Sequence, residues 1–358
     1  MKRGIGMKNV TMRDIGAALG VSTVTISKAL GGKEGVSDVV REKIIETAKR
    51  MGYQYIPPKP DDAGRVIGIL IADRFFSAPS FYASLYKALL KELADVDMLG
   101  ALEIISDQDE ESLALPVAMT IQRVSGFILL GQFAPDYVTN VLNTGLPTVL
   151  LDFTCDGPDV DAVVSDGQVG SYQLTRYLIE HGHKRIGFVG NIYRTTSIMD
   201  RYSGFLRAMM HEKLPLPADC VIPDSDLNGR YYDDFDYPAN MPTALVCNND
   251  MLADRVIESL ARRGLSVPED VSVVGFDDFV CGKDARLVTT YAVDQQRMAQ
   301  VTVRRLQSRM REGLEGPLRT LVGGWFVERD TVMDLNTHQR CGGARGMDRL
   351  EDQAEQAN

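Results

Sequence analysis

From Val66 onward, short uninterrupted apolar runs alternate with longer amphipathic stretches, and this alternation restricts the body of the chain to few architectures. The runs are Val66–Ile71, Ala101–Ile105, Gly126–Leu130, Thr148–Leu151, Arg185–Val189, Ala244–Cys247 and Val271–Phe276. Continuous apolar runs of this length suit strands buried on both faces. The stretches Phe81–Leu93, Tyr172–His181, Arg201–Glu212 and Met251–Arg263 have the pattern of the crossover helices that parallel strands need. The expected body is α/β, built of two doubly wound parallel-sheet subdomains. Ligands of such folds bind beyond the carboxyl ends of the strands, and two facing sheets make a cleft.

The first fifty or so residues follow a different rule. Thr11 can cap a short helix in which Ile15, Ala18 and Leu19 share a face, with Asp14 in the first turn where negative charge suits the dipole. Gly20 suits the left-handed residue that closes a helix, and Ser22 can cap the next, so a very tight turn separates the two. Val21, Ile26 and Leu30 would then face inward, leaving Thr23, Val24, Thr25, Ser27 and Lys28 outside. A third stripe follows Ser37, with Val40, Ile44, Ile45, Ala48 and Met51. This is an all-α helix-turn-helix head, the geometry in which a second helix offers its N-terminal residues to the major groove. A plainer alternative is a small helical unit that docks on a partner protein.

Charge favours the first reading. Residues 1–60 carry 11 Lys or Arg against 5 Asp or Glu, whereas the remainder carries 28 against 44. A basic head on an acidic body confines the attraction for phosphate to one end. No apolar run approaches a membrane span and the N-terminus lacks an apolar signal core, so a cytoplasmic, nucleoid-associated protein with no membrane partner is expected. Five cysteines without a CxxC pair are expected as free thiols. His181 and His183 have no clustered partner in sequence and read as a loop entering a strand. No metal, cofactor or catalytic residue is expected.

The strand ends carry the chemistry of a polar small-molecule cleft. Asp73 and Phe75-Phe76 follow the first run, Asp152 the fourth, Arg194 and Arg201 the fifth, Asn248-Asn249-Asp250 the sixth and Asp277-Asp278 the seventh. Carboxylates and amides can hold adjacent hydroxyls, an Arg fork adds donors, and an aromatic face covers the apolar side of a sugar ring. Singly, an Asp after a strand more often caps a helix, which is the plainer reading of Asp250 and Asp278. Arg201, Asn249 and Asp277 at three separate strand ends carry the functional reading together.

Over roughly residues 9–336 the chain resembles the LacI/GalR family of transcription regulators, which pairs a helix-turn-helix head with a periplasmic-binding-protein-like sensor core. The head segments are Val10–Ile15, Gly20–Ser22, Thr25–Leu30, Val36-Ser37 and Arg41–Ile44. The body segments are Ile67–Leu70, Gly126–Leu129, Gly182–Gly190, Arg201–Phe205, Cys247–Asp250, Asp270–Asp278 and Glu328–Asp330. The resemblance implies a homodimer whose heads grip a pseudo-palindromic double-stranded DNA operator under the control of a small-molecule effector, expected to be a saccharide. It places Thr23, Val24 and Lys28 at base-contacting positions and Thr11, Ser22, Thr25 and Ser27 at phosphate-contacting ones. Effector contacts would be Arg201, Asn249 and Asp277, with Phe75, Phe76 and Arg194 as further lining. Val293 stands where some members have a polar ligand contact.

The expected division is a head at 8–55, a linker at 56–65, a core at 66–336 and a disordered tail at 337–358. Within the core, one subdomain takes about 66–165 plus 294–324 and the other about 166–293 plus 325–336. The linker departs from the family: Pro57, Pro58 and Pro60 preclude a regular helix, Asp61-Asp62 repels phosphate, and no leucine is present to wedge a minor groove. The tail shows no heptads. The expected function is a sequence-specific regulator of the repressor type; the alternative is a sugar-binding sensor that has lost operator binding through its altered linker. An enzyme on the same body is disfavoured, because no GxSxG, GxxxxGKS or HExxH motif occurs.

Overall fold

The computed structural model describes residues 12–22, 25, 26, 29, 36–51, 66–76, 80–117, 124–226, 230–279, 287–311 and 316–341. Two compact units divide the chain, residues 1–64 and 65–358. In the first, helices α1 (Met12–Leu19) and α2 (Asp38–Arg50) flank helical residues Thr25, Ile26 and Ala29. Gly20 takes the left-handed conformation, φ 69°, that closes α1. Ser22 Oγ then accepts from Thr25 N at 3.1 Å, so the cap read from sequence starts the second helical segment one tight turn later. Ile15, Ile26, Ala29, Ile44 and Ala48 make the buried centre, against which Leu19, Val21, Val36 and Met51 pack. Ala18, Val40 and Ile45, expected on the inner faces, are exposed. The Arg41 guanidinium donates to the Ala29 carbonyl at 3.1 Å and ties α2 to the middle helical segment. The linker 56–65 lies outside the described residues.

The second unit holds two parallel sheets. Its elements run β1 (Val66–Ala72), α3 (Phe81–Ala94), β2 (Leu99–Ile105), α4 (Asp107–Glu111), β3 (Gly126–Leu130), α5 (Pro135–Leu142), β4 (Thr148–Leu151) and β5 (Asp161–Ser165). Next come α6 (Gly167–Glu180), β6 (Ile186–Val189), α7 (Thr196–His211), β7 (Val221–Ile222), β8 (Ala244–Cys247), α8 (Asp250–Arg262) and β9 (Ser272–Val274). Last are β10 (Thr290–Ala292), α9 (Gln295–Arg311), β11 (Arg319–Val322), β12 (Trp325–Val327), β13 (Met333–Asp334) and β14 (Gln339–Arg340). One sheet has the order β11-β5-β4-β3-β1-β2 and the other β7-β6-β8-β9. All pairings within these sheets are parallel, as expected of runs buried on both faces.

The chain passes between the sheets three times: after β5, between β10 and α9, and between β11 and β12. The return through α9 and β11 is anchored by Asp161, whose buried carboxylate accepts from Arg309 Nε at 2.5 Å and Leu318 N at 2.7 Å and pairs with Arg305 at 3.0 Å. These contacts staple α9 and the start of β11 onto β5. The ordered body does not stop at 336. Strands β13 and β14 pair antiparallel, and Cys341 is buried with its backbone N–H on the Val332 carbonyl at 2.8 Å, so residues 337–341 belong to the core rather than to a tail. Residues 342–358 lie outside the described residues.

His183 closes the far side of the second sheet. Its ring nitrogens reach Thr243 Oγ1 at 2.9 Å, the Met333 carbonyl at 3.0 Å and Ser272 Oγ at 3.1 Å. Burial lowers its pKa to about 4, so the imidazole is neutral and structural. His181 lies against the Tyr177 ring at the end of α6. Cys155, Cys220, Cys247 and Cys341 are free and buried.

Candidate functional site

The carboxyl ends of both sheets' strands converge on a cavity of about 480 Å³. One wall holds Phe75 in the turn after β1, Phe81 and Tyr82 at the start of α3, and Asp152 after β4. The other holds Arg194 and the start of α7, Asp224 and Tyr231 after β7, Asn248 and Asn249 between β8 and α8, and Asp277 and Phe279 after β9. Its size suits a small ligand.

Arg201 is the centre of the polar floor. It is held by the packing of α7 on α6 at Gly204, where a Cβ would stand 2.2 Å from the Gln168 carbonyl oxygen; only glycine lets the helices approach so closely. The Arg201 guanidinium donates to the Asn248 carbonyl at 2.5 Å and to Asp277 Oδ1 at 2.8 Å, and lies 4.1 Å over the Phe276 ring. Tyr82 OH, from the opposite wall, donates to Asp152 Oδ2 at 3.0 Å. Arg201 is 5% exposed, Asp277 8% and Asp152 3%. Burial raises the Asp277 carboxyl to about 7, against the pull of Arg201 and aided by the Asp152 charge. Burial likewise raises Asp152 to about 6, again opposed by Arg201.

Three buried polar atoms of this floor, Asp152 Oδ1, Arg201 Nε and Asn248 Oδ1, have no hydrogen-bond partner among the described residues. Five other such atoms are scattered through the described residues, whereas these three are gathered on one floor, where a ligand can complete the network. The backbone agrees: Asp152, Asp277 and Asp278 have φ of 68°, 102° and 53°, a strained region that clusters at functional sites.

Of the residues singled out in sequence, Arg201, Asn249, Asp277, Phe75 and Arg194 line the cavity. Phe76 does not. It is half-buried against the main apolar core, because the short 3-10 turn Asp73–Phe75 sends consecutive side chains to different sides. The helix-cap reading of Asp250 and Asp278 fails as well. Asn249 caps α8 through Leu252 N at 2.8 Å, while Asp250 accepts from Thr290 Oγ1 at 2.8 Å and Phe279 N at 2.9 Å. Asp278 pairs with Arg329 at 2.6 Å. Val293 is buried against the core and is not part of the lining. Tyr82, Tyr231 and Arg255 line the cavity without having been singled out; they sit in helices and a loop, where nothing in the sequence sets them apart from surface residues.

Two bridges span the cleft. Gln132 Oε1, after β3, accepts from Thr196 N and Thr196 Oγ1 at 3.1 and 3.2 Å, and Thr154 N donates to Thr196 Oγ1 at 3.1 Å. Arg194 lies over Tyr231 at 4.5 Å and Phe75 at 6.0 Å. In the head, Ser22 is exposed and Thr25 half-exposed, their hydroxyls 2.9 Å apart. Thr11, Thr23, Val24, Ser27 and Lys28 lie outside the described residues.

A helical head joined to a two-sheet cleft with a polar floor defines a regulator that couples a small-molecule sensor to a helix-turn-helix. Residues 11–55 match the family described as "Bacterial regulatory proteins, lacI family", and residues 175–332 match the "Periplasmic binding protein-like domain". In that order the two segments take in more than half of the chain, and the chain belongs to the LacI family of transcriptional regulators. Among its relatives, the "HTH-type transcriptional repressor PurR" of Pasteurella multocida is 26% identical over 282 residues, 75% of this chain and 82% of that protein. The "Probable HTH-type transcriptional repressor ExuR" of Bacillus subtilis is 25% identical over 345 residues, 92% of this chain and 100% of that protein. A solved structure, "transcriptional regulator CelR-cellobiose complex", shares the fold with a TM-score of 0.64 at 23% identity, covering 90% of this chain and 100% of that one. The relatives are transcriptional regulators rather than enzymes, and a small molecule is the effector of such proteins. Among the described residues no helix is long and apolar enough to cross a membrane.

Proposed function

We propose that this regulator is a cytoplasmic homodimeric repressor whose heads bind a pseudo-palindromic operator and whose cleft binds a saccharide. The observation that carries the effector side is the floor of Asp152, Arg201, Asn248 and Asp277, three of whose buried polar atoms have no hydrogen-bond partner among the described residues. Two carboxylates, an Arg fork and an amide match adjacent ring hydroxyls, and Phe75 offers an apolar face. The solved relative bound to cellobiose supports the same ligand class.

On the DNA side, Thr23, Val24 and Lys28 are assigned to base edges and Thr11, Ser22, Thr25 and Ser27 to phosphates. The basic composition of residues 1–60 supports this assignment. Saccharide binding acts by shifting the population between a head spacing that fits two half-sites and one that does not. The alternative, a sensor without operator binding, is not favoured: relatives spanning head and body are named repressors.

The test is fluorescence anisotropy on a labelled pseudo-palindromic duplex, with and without a saccharide that raises the melting temperature of the protein. Asp277→Ala is expected to keep duplex affinity and lose the saccharide response. A variant that responds like the parent overturns the pocket assignment, and a parent that binds no duplex specifically overturns the repressor.

A further inference from the structure

Four arginines line the cavity, and they divide into two kinds. Arg201 is paired with Asp277 at 2.8 Å, and Arg74 with Asp107 and Glu110 at 2.9 and 2.6 Å. Arg194 and Arg255 have no carboxylate within ion-pairing distance among the described residues. Each instead lies over aromatic rings: Arg194 over Tyr231 at 4.5 Å and Phe75 at 6.0 Å, and Arg255 over Tyr231 at 5.2 Å and Phe235 at 5.5 Å. A cation–π contact uses none of the guanidinium's N–H donors and leaves its charge in place. Among the described residues one side-chain donor of the pair is spent, that of Arg255 on the Tyr232 carbonyl at 2.5 Å. Both arginines are half-buried, which strengthens their field relative to a fully solvated position.

The remaining acids of the lining form no ion pair with them among the described residues and make their hydrogen bonds elsewhere. Asp250 is engaged by Thr290 and Phe279, and Asp224 accepts from Asn191 N at 2.8 Å and Ser225 Oγ at 3.2 Å. The sixteen-residue helix α7 also begins in this wall, with no acidic residue in its first turn, so its dipole adds to the positive potential. The cavity is therefore polarised, with a hydroxyl-binding floor at Asp152, Arg201 and Asp277 and a double-arginine edge at Arg194 and Arg255 that has no ion-pair partner among the described residues.

We infer that the effector is an anionic saccharide, its ring hydroxyls on the floor and its carboxylate or phosphate on Arg194 and Arg255. This rests on the saccharide reading above and narrows it to sugars carrying a negative charge.

The experiment titrates the full-length protein calorimetrically with D-glucose and D-galactose, their uronates, their 6-phosphates, and inorganic phosphate. A uronate or a sugar phosphate is expected to bind more tightly than its parent hexose, and which of the two does so identifies the anion. Arg194→Gln and Arg255→Gln should each weaken that ligand roughly tenfold or more and reduce its advantage over the neutral hexose by a similar factor. Apo melting temperatures of both variants verify that they are folded. Neutral hexoses that bind as tightly as their anionic forms, or a preference that survives both substitutions, overturn the inference and leave the saccharide assignment standing. Inorganic phosphate alone matching the sugar anions overturns it as well. No binding by any sugar in the panel overturns both.

Discussion

Asp152 and Asp277 face one guanidinium in a buried floor, and their titration gives the site a signature. Both carboxyls are raised from 3.8, to about 6 and about 7, chiefly by burial. The folded state therefore holds protons that the unfolded state releases. The stability this provides is complete below the unfolded pKa and is lost as pH rises through the two folded values. The body is expected to melt at a lower temperature at about pH 8 than at about pH 5, and Asp152→Asn to flatten that slope, as thermal scans across pH would show. A ligand whose hydroxyls donate to these carboxylates favours their ionised form, so binding near neutral pH should release protons. Calorimetry in buffers of different ionisation enthalpy measures that release directly. His183 acts with the opposite sign. Its pKa is lowered to about 4, so the stability it contributes is present above the unfolded value of 6.5 and is lost as pH falls towards 4. His183→Gln should reduce the loss of melting temperature over that acid interval.

Among the elements, the packing of α6 on α7 is the most exacting. Gly204→Ala places a methyl where the Gln168 carbonyl already stands, and should destabilise the body by about 1–3 kcal/mol while displacing Arg201. Chemical denaturation reads the first effect and ligand affinity the second. In the head, Ile44→Ala empties the centre of a small cluster and is expected to cost about 2–5 kcal/mol.

The elements legible in the sequence are those whose stability is local or whose apolar runs are continuous. Strands β1, β3, β4 and β8 match the expected runs residue for residue or nearly so, because each is apolar throughout. Helix α7 begins at Thr196 rather than Arg201, since Thr195 caps it through Ile198 N. Strand β5 was missed because it opens on Asp161, a residue that enters a sheet only when Arg305 and Arg309 arrive from a helix far along the chain. The short strands β10, β11 and β12 lie beside the crossings, and β13 and β14 pair only with each other. The same division holds in the site: Arg201 and Asp277 stood out at strand ends, whereas Tyr82 and Arg255 gain their roles only when two distant segments face each other.

For the whole molecule, charge is the governing distribution. With 11 basic residues against 5 acidic in residues 1–60 and a net charge of -10 overall, duplex affinity should come from the head alone and fall steeply with salt. A fragment of residues 66–358 is expected to show no duplex binding by anisotropy yet to keep saccharide binding, since the cavity is built entirely from residues beyond 66.

The left-handed backbone at Asp152, Asp277 and Asp278 has a further consequence for how this regulator can diverge. Glycine, asparagine and aspartate are the residues that tolerate such angles, so drift at these points has a narrow vocabulary. Arg194 and Arg255 carry no such restriction. Descendants that acquire a new effector should therefore differ first along the arginine edge, while the strand-end acids persist as an inherited grammar.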